Sequence, residues 1–492
     1  MPFGGGYRRC PGAAFAHNEL TIAIGTIMGD VDLTVSRTER RRKPPRAVPR
    51  GIATLPHREM TLQVSCTRTR NPRRSVHPPS EKAVARLSSW ATTVVAMALG
   101  GDTGRVPPGV TLANWQSAPQ LHWAFQHVAE FLPTAVISRG TGPVAEMSQA
   151  PTELAGIPLY DRTNGRRTTV GEVMDATITD GWMVTQHGKL LGEHYYGGMT
   201  ADSPHILMSV SKTLVATVVG ALVSSGAVNP DAPVTHYVPA LAESGYAGAT
   251  VRNLLDMRSG IKFSEDYQDP MAEVRLIEQA IGWAPRTVAD LPSTMYDFLV
   301  SLRQKSPHGG PFEYRSCETD VLGWICEAAG GMRMPELMSQ LLWSKLGARI
   351  NASIGVDSVG TGMFDGGINA CMSDLVRVGS LFLNGGTSAT GERVVSLSWI
   401  ADTFAGGLDS RTAFAASPRD TGMPGGMYRN QVWFPYPGNN VLVCTGIHGQ
   451  LIYVNRAADM VAAKLSSWPL PEDPGKLFPT IAAFDEIATQ LS

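Results

Sequence analysis

What most limits the fold of this chain is the order of its periodic segments between residues 181 and 470. Strand-like patterns stand at both ends of that stretch and helical patterns fill the middle. At the start, Trp182-Met-Val-Thr185 leads through His187-Gly188-Lys189 to Leu190-Leu191 and Tyr195-Tyr196, closed by Gly197-Gly198, which reads as a hairpin. At the end, residues 431–433, 440–444, 451–454 and 461–465 read as strands. Between them, 209–225 carries Leu214, Val215, Val218, Val219 and Leu222 at helical spacing. Helical patterns recur at 251–257, 319–329, 334–346 and 372–383. A sheet assembled from both ends with helices inserted between is α+β in class, with an antiparallel sheet. Residues 111–180 alternate short apolar stretches with turn residues, and no internal repeat is found.

The first 110 residues differ. Residues 1–80 hold a net charge of +9 and the remainder −10, within a total of −1 over 492 residues. This asymmetry points to two segments of different origin. Residues 1–66 open on a Gly-rich loop, followed by a helical pattern over 13–28 and strand-like pieces at 31–35 and 60–64. Residues 67–110 are rich in Pro, Arg and Gly and read as a disordered linker, which leaves 111–492 as the main domain. The overall balance predicts no nucleic-acid partner, and the basic run 40–43 reads as solvated surface. The longest apolar run, 91–99, is too short to span a bilayer. The N-terminus has no apolar signal core. Six scattered cysteines without CxxC spacing argue against a disulfide framework or a metal site, and fit reduced thiols in the cytoplasm.

Ser209-Val-Ser-Lys212 heads the longest apolar helix pattern. Three residues is just under one helical turn, so both side chains share a face. A serine hydroxyl needs a base to become a nucleophile, and a lysine serves if its surroundings lower its pKa toward neutrality. A helix N-terminus adds N–H groups that favour an oxyanion. The same pattern occurs at Ser259-Gly-Ile-Lys262, where it follows a short helix pattern and reads as a C-cap turn. Tyr314-Arg-Ser316 and Tyr428-Arg-Asn430 each offer a tyrosine for proton transfer, and their chemistry does not separate them. His448-Gly449-Gln450 lies in a strand-like run whose glycine lets backbone approach a ligand and supply a second oxyanion donor.

Together these motifs resemble the serine beta-lactamase-like hydrolases, in particular the 6-aminohexanoate-dimer hydrolase branch. Supporting stretches are Asp231–Pro239, Thr250–Gly260, Phe263–Tyr267, Glu313–Asp320, Gly366–Asp374 and Gly446–Gln450. The resemblance covers about 113 to the C-terminus. It implies a sheet flanked by helices plus a helical subdomain, with the site between and a small separate segment ahead. It implies Ser209 as acyl-forming nucleophile, Lys212 as its base and Tyr314, not Tyr428, as proton relay. The oxyanion hole falls to the amides of Ser209 and of the strand around Gln450. Tyr267, with Asp266 and Asp269 beside it, is placed in a loop lining the substrate pocket. Where beta-lactamases carry Lys-Thr-Gly, this chain has Ile447-His448-Gly449, which disfavours beta-lactams and favours a small linear amide or carboxylic ester. No cofactor is implied for that reaction.

Phe3-Gly-Gly-Gly-Tyr-Arg-Arg-Cys10-Pro-Gly12 matches the haem-ligand loop of the cytochrome P-450 monooxygenases. In that family the cysteine thiolate ligates iron and the arginine pairs with a haem propionate. Only the C-terminal part of such an enzyme is present in 1–66, and a piece this small does not enclose a haem. Cys10 is therefore read as a haem ligand in motif and a remnant in function. Two rival readings are a haem-binding monooxygenase fragment and a non-catalytic binding module that keeps the hydrolase fold.

Overall fold

The computed structural model describes residues 47–50, 53–56, 106–107, 109–161 and 165–492, and the chain divides into compact units at 1–92 and 93–492. In the first unit, β1 (Ala47–Arg50) and β2 (Ala53–Pro56) pair as an antiparallel hairpin that the pattern reading did not anticipate. Cys10, the expected helix over 13–28, the strands at 31–35 and 60–64, and most of the expected linker 67–110 lie outside the described residues.

The second unit is built on a seven-stranded antiparallel sheet. Its strands are β6 (Thr179–Gln186), β7 (Lys189–Tyr195), β11 (Met427–Arg429), β12 (Val432–Phe434), β13 (Val441–Gly446), β14 (Gln450–Asn455) and β15 (Met460–Ser466). The order β11-β12-β13-β14-β15-β6-β7 joins the two ends of the unit, because β15 pairs with β6 from Met460 opposite Gln186. The expected hairpin is β6–β7, turning at His187-Gly188. Smaller sheets are formed by β3 (Thr134–Ile137), β9 (Ala352–Gly355), β10 (Ile368–Ala370) and β8 (His205–Ile206), and by β4 (Pro158–Asp161) with β5 (Arg166–Thr169).

The central strands read as near-continuous apolar runs because both faces of the sheet are covered. Successive residues point to opposite faces, so one strand feeds two cores. Ile452, Val454, Val461 and Ala463 pack into a core that includes Leu375, Val376 and Val378. Leu451, Tyr453, Met460 and Ala462 pack into a second core with Ile481, Phe484 and Ile487.

Four helices frame the site: α1 (Ser211–Ser224), α2 (Cys317–Gly330), α3 (Met372–Leu383) and α4 (Pro474–Leu491). Helix α3 covers one face of the sheet and α4 the other. Helix α1 departs from its sequence pattern. The expected apolar stripe is buried, but so is every other residue from Ser211 to Leu222, so the helix is central rather than amphipathic. It packs against α2, and shorter helices at Val234–Tyr237, Val251–Leu255, Glu273–Ala280, Met295–Ser301 and Met334–Leu341 make the helical part. Among the described residues no helix is long and apolar enough to cross a membrane.

Candidate active site

The helix expected from residue 209 begins two residues later. Ser209 sits in a 3-10 turn, Met208–Val210, that leads into α1. Met208 takes φ +46°, a conformation that costs a non-glycine residue energy and recurs at functional turns. The turn leaves Ser209 half-buried at the head of the buried helix.

Lys212, 1% exposed, donates from Nζ to Ser209 Oγ at 2.8 Å and to the carbonyl oxygen of Asp365 at 2.8 Å, with Asp365 Oδ2 at 3.5 Å. Its ammonium also lies 5.2 Å from the ring centroid of Tyr314. Tyr314 interacts with Ser209 and Lys212 through its hydroxyl. Tyr428, the other tyrosine candidate, is buried beside Tyr314 and turns its hydroxyl toward Gln431 Oε1 at 3.4 Å. The second Ser-x-x-Lys pattern comes apart: Ser259 Oγ donates to the buried carboxyl of Glu318, while Lys262 is 71% exposed near Glu273.

The electrostatics differ from the expectation of a lysine tuned toward neutrality. Burial works to lower the Lys212 pKa, but Tyr314, Asp365, Glu265 and Asp320 outweigh it and hold the ammonium above its ordinary range. The acids respond to the same confinement. Burial raises Glu265, against the pull of Lys212, and burial with Asp365 raises Asp320 well above the usual carboxylate range. Burial also raises Tyr314, with Lys212 opposing.

Ser209 opens onto a cavity of about 240 Å³, bordered also by Tyr267, Tyr314, Trp433, Gly446 and Ile447. A smaller recess on its other side is bordered by Tyr267, Glu278, Trp283 and Asp365. The end of β13 presses against the serine turn. A side chain at Gly446 would stand 2.7 Å from the Leu207 carbonyl oxygen and 3.1 Å from Ser209 N, so only glycine fits.

Three expected strand residues lie elsewhere. The run 441–454 is not one strand but the β13–β14 hairpin, and its turn rotates His448, Gly449 and Gln450 away from the cavity. His448 Nδ1 bonds the carbonyl oxygen of Trp468 at 2.6 Å. Gly449 lies against the Trp468 ring, and the Gln450 amide pairs with Ser466. Thr445, Gly446 and Ile447 take the place beside Ser209. Tyr267 does line the cavity, but Asp266 is exposed and caps its own turn by accepting from Gln268 N. Asp269 is likewise exposed and accepts from Met271 N. The acid that this loop turns inward is Glu265, which accepts from Ser316 N.

Pattern reading missed Asp365, Asp320 and Glu265. Asp320 carried one usable signal, an acidic residue spaced among buried apolar positions of α2. Among the described residues no cluster of three or more His, Cys, Asp or Glu side chains is arranged to hold a metal.

Comparison with known proteins agrees with this fold. A family model described as Beta-lactamase matches residues 167–485, and one described as Cytochrome P450 matches residues 1–62. A curated relative, the 6-aminohexanoate-dimer hydrolase of Paenarthrobacter ureafaciens, is 40% identical over 362 residues, covering 74% of this chain and 89% of the relative. The solved structure named "Putative 6-aminohexanoate-dimer hydrolase from Bacillus anthracis" aligns with a TM-score of 0.71 at 25% identity, over 78% of this chain and 97% of that one. EstCE1, a hydrolase with promiscuous acyltransferase activity, shares the fold at a TM-score of 0.50 and 13% identity, over 64% of this chain and 98% of that one.

Proposed function

The chain belongs to the beta-lactamase family of hydrolases, and from that premise we propose that it cleaves a small linear amide or carboxylic ester through a covalent acyl-enzyme on Ser209. The observation that carries this reading is the 2.8 Å contact of Lys212 Nζ with Ser209 Oγ at the wall of an open cavity. In the reacting form Lys212 is neutral and takes the Ser209 proton as Oγ bonds to the carbonyl carbon. The developing oxyanion is met by the Ser209 amide and by backbone N–H groups of the adjoining β13 end. Tyr314 then passes the proton to the departing amine or alkoxide, and the carbon–leaving-group bond breaks. Water attacks the resulting ester along the same proton path in reverse and frees Ser209. No cofactor enters any step.

The absence of a lysine in Ile447-His448-Gly449 supports a linear substrate over a beta-lactam, whose carboxylate such a lysine would meet. A cytoplasmic setting is part of this reading, supported by the free thiols of Cys317, Cys326, Cys371 and Cys444. For residues 1–66 the Cytochrome P450 match over 1–62 supports a segment related to the haem-thiolate monooxygenases, followed by the 67–110 linker. A carbon monoxide difference spectrum of the purified chain tests whether Cys10 holds haem.

The hydrolase reading is tested with a panel containing a short-chain nitrophenyl ester, a linear aminohexanoate amide and a chromogenic cephalosporin. Wild type is expected to hydrolyse the first two in preference to the third, and Ser209→Ala none. Turnover by Ser209→Ala at the wild-type rate overturns the assignment.

A further inference from the structure

The cavity in front of Ser209 is apolar over most of its wall, where Trp433, Met423, Leu477 and Phe478 stand. One cation lines it among the described residues, Arg419, in the 3-10 turn Pro418–Thr421. It lines the same cavity as Ser209, Tyr267 and Tyr314.

Among the described residues Arg419 donates to a single group, Glu472 Oε1, through Nη2 at 2.8 Å. The two side chains are 42% and 49% exposed. A half-exposed pair held by one hydrogen bond opens at little cost. An arginine offers five N–H groups in a planar fork that fits a carboxylate with two parallel bonds, so most of its donors stay available. The neighbouring carboxylate, Asp473, is already paired with Lys476 and does not compete for it.

We propose that Arg419 is a specificity-determining residue that receives a carboxylate at one end of a linear aliphatic substrate, with Glu472 yielding its place when the substrate enters. This rests on the hydrolase reading above and narrows it: an apolar wall for the chain, a nucleophile within, and a cation for an anionic terminus. Until a substrate enters, Glu472 holds the guanidinium at the cavity wall.

Two substrate pairs test the inference. In the first, the linear dimer of 6-aminohexanoate is compared with the same dimer capped as its carboxamide, which places the charge on the leaving side. In the second, the mono-nitrophenyl ester of adipate is compared with its methyl-capped form, which places the charge on the acyl side. The readout is the ratio of kcat/KM for the charged member to that for the capped member. Arg419→Gln is expected to lower this ratio at least tenfold in one of the pairs, chiefly through KM. Arg419→Lys, which keeps the charge but not the fork, is expected to retain part of the preference. Glu472→Gln is expected to lower KM for the charged member. A ratio unchanged in Arg419→Gln in both pairs overturns the inference alone. Failure of wild type on all four substrates, with Ser209 also unreactive toward a fluorophosphonate, overturns the hydrolase reading and takes the inference with it.

Discussion

Asp320 Oδ1 accepts the backbone N–H of Asp365 at 3.1 Å, and the carbonyl of that same Asp365 accepts from the Lys212 ammonium at 2.8 Å. Helix α2 therefore holds the loop that holds the lysine, and it brings carboxyl groups with it. Since these acids keep Lys212 above its ordinary pKa, its neutral form is scarce near pH 7 and grows as pH rises. The kcat/KM profile is expected to climb into the alkaline range. Asp365→Asn keeps the backbone carbonyl but removes one charge, and is expected to move that limb down by about one pH unit. A limb at the wild-type pH in Asp365→Asn contradicts this source of the shift.

The two tyrosines separate by the groups near their hydroxyls. Tyr314 meets Ser209 and Lys212, whereas Tyr428 turns to Gln431. Tyr314→Phe is expected to lower kcat by about 10²- to 10³-fold, and Tyr428→Phe to leave it within severalfold. Equal losses in steady-state assays of the two variants count against a relay at Tyr314.

His448 predicts a stability effect instead of a catalytic one. Burial lowers its pKa from the ordinary 6.5 to about 4, with the Trp468 carbonyl opposing. Between those values the unfolded chain binds a proton that the folded chain refuses, so stability falls as pH drops from 6.5 towards 4. The full loss is roughly 3 kcal/mol. Urea midpoints at pH 7 and pH 4.5 are expected to separate more for wild type than for His448→Gln. An identical separation removes His448 as the cause.

The second Ser-x-x-Lys pattern gives a structural control. Ser259 donates to Glu318, whose carboxyl burial pushes up to about 8. Ser259→Ala is expected to cost about 1–3 kcal/mol of stability while the folded fraction keeps its kcat. Loss of kcat without loss of stability contradicts the assignment of roles to the two motifs.

The strands, the hairpin at His187-Gly188 and the long helices were readable as apolar stretches bounded by turn residues, although β6, β15 and α1 are buried almost throughout and keep no period of burial. Ser209 and Lys212 were readable because one helical turn joins them. The strand end beside Ser209 was placed three residues late. A strand-like run interrupted by two glycines and single polar residues does not reveal at which of them the chain reverses, and here it reverses at Ile447–Gly449. Asp266 and Asp269 are named from the sequence and Glu265 is not weighed, because acids on one loop look alike until the backbone decides which points inward. Asp365 and Asp320 reach Lys212 only through the packing of α2 and the 364–365 turn against α1, and no local period encodes that meeting.

The most direct measurement is the intact mass of the protein after treatment with a fluorophosphonate, for wild type and Ser209→Ala side by side. Wild type should gain a single adduct, slowed by Lys212→Ala, and Ser209→Ala should gain none. An adduct that persists in Ser209→Ala places the reactive hydroxyl elsewhere and contradicts the hydrolase mechanism at its root.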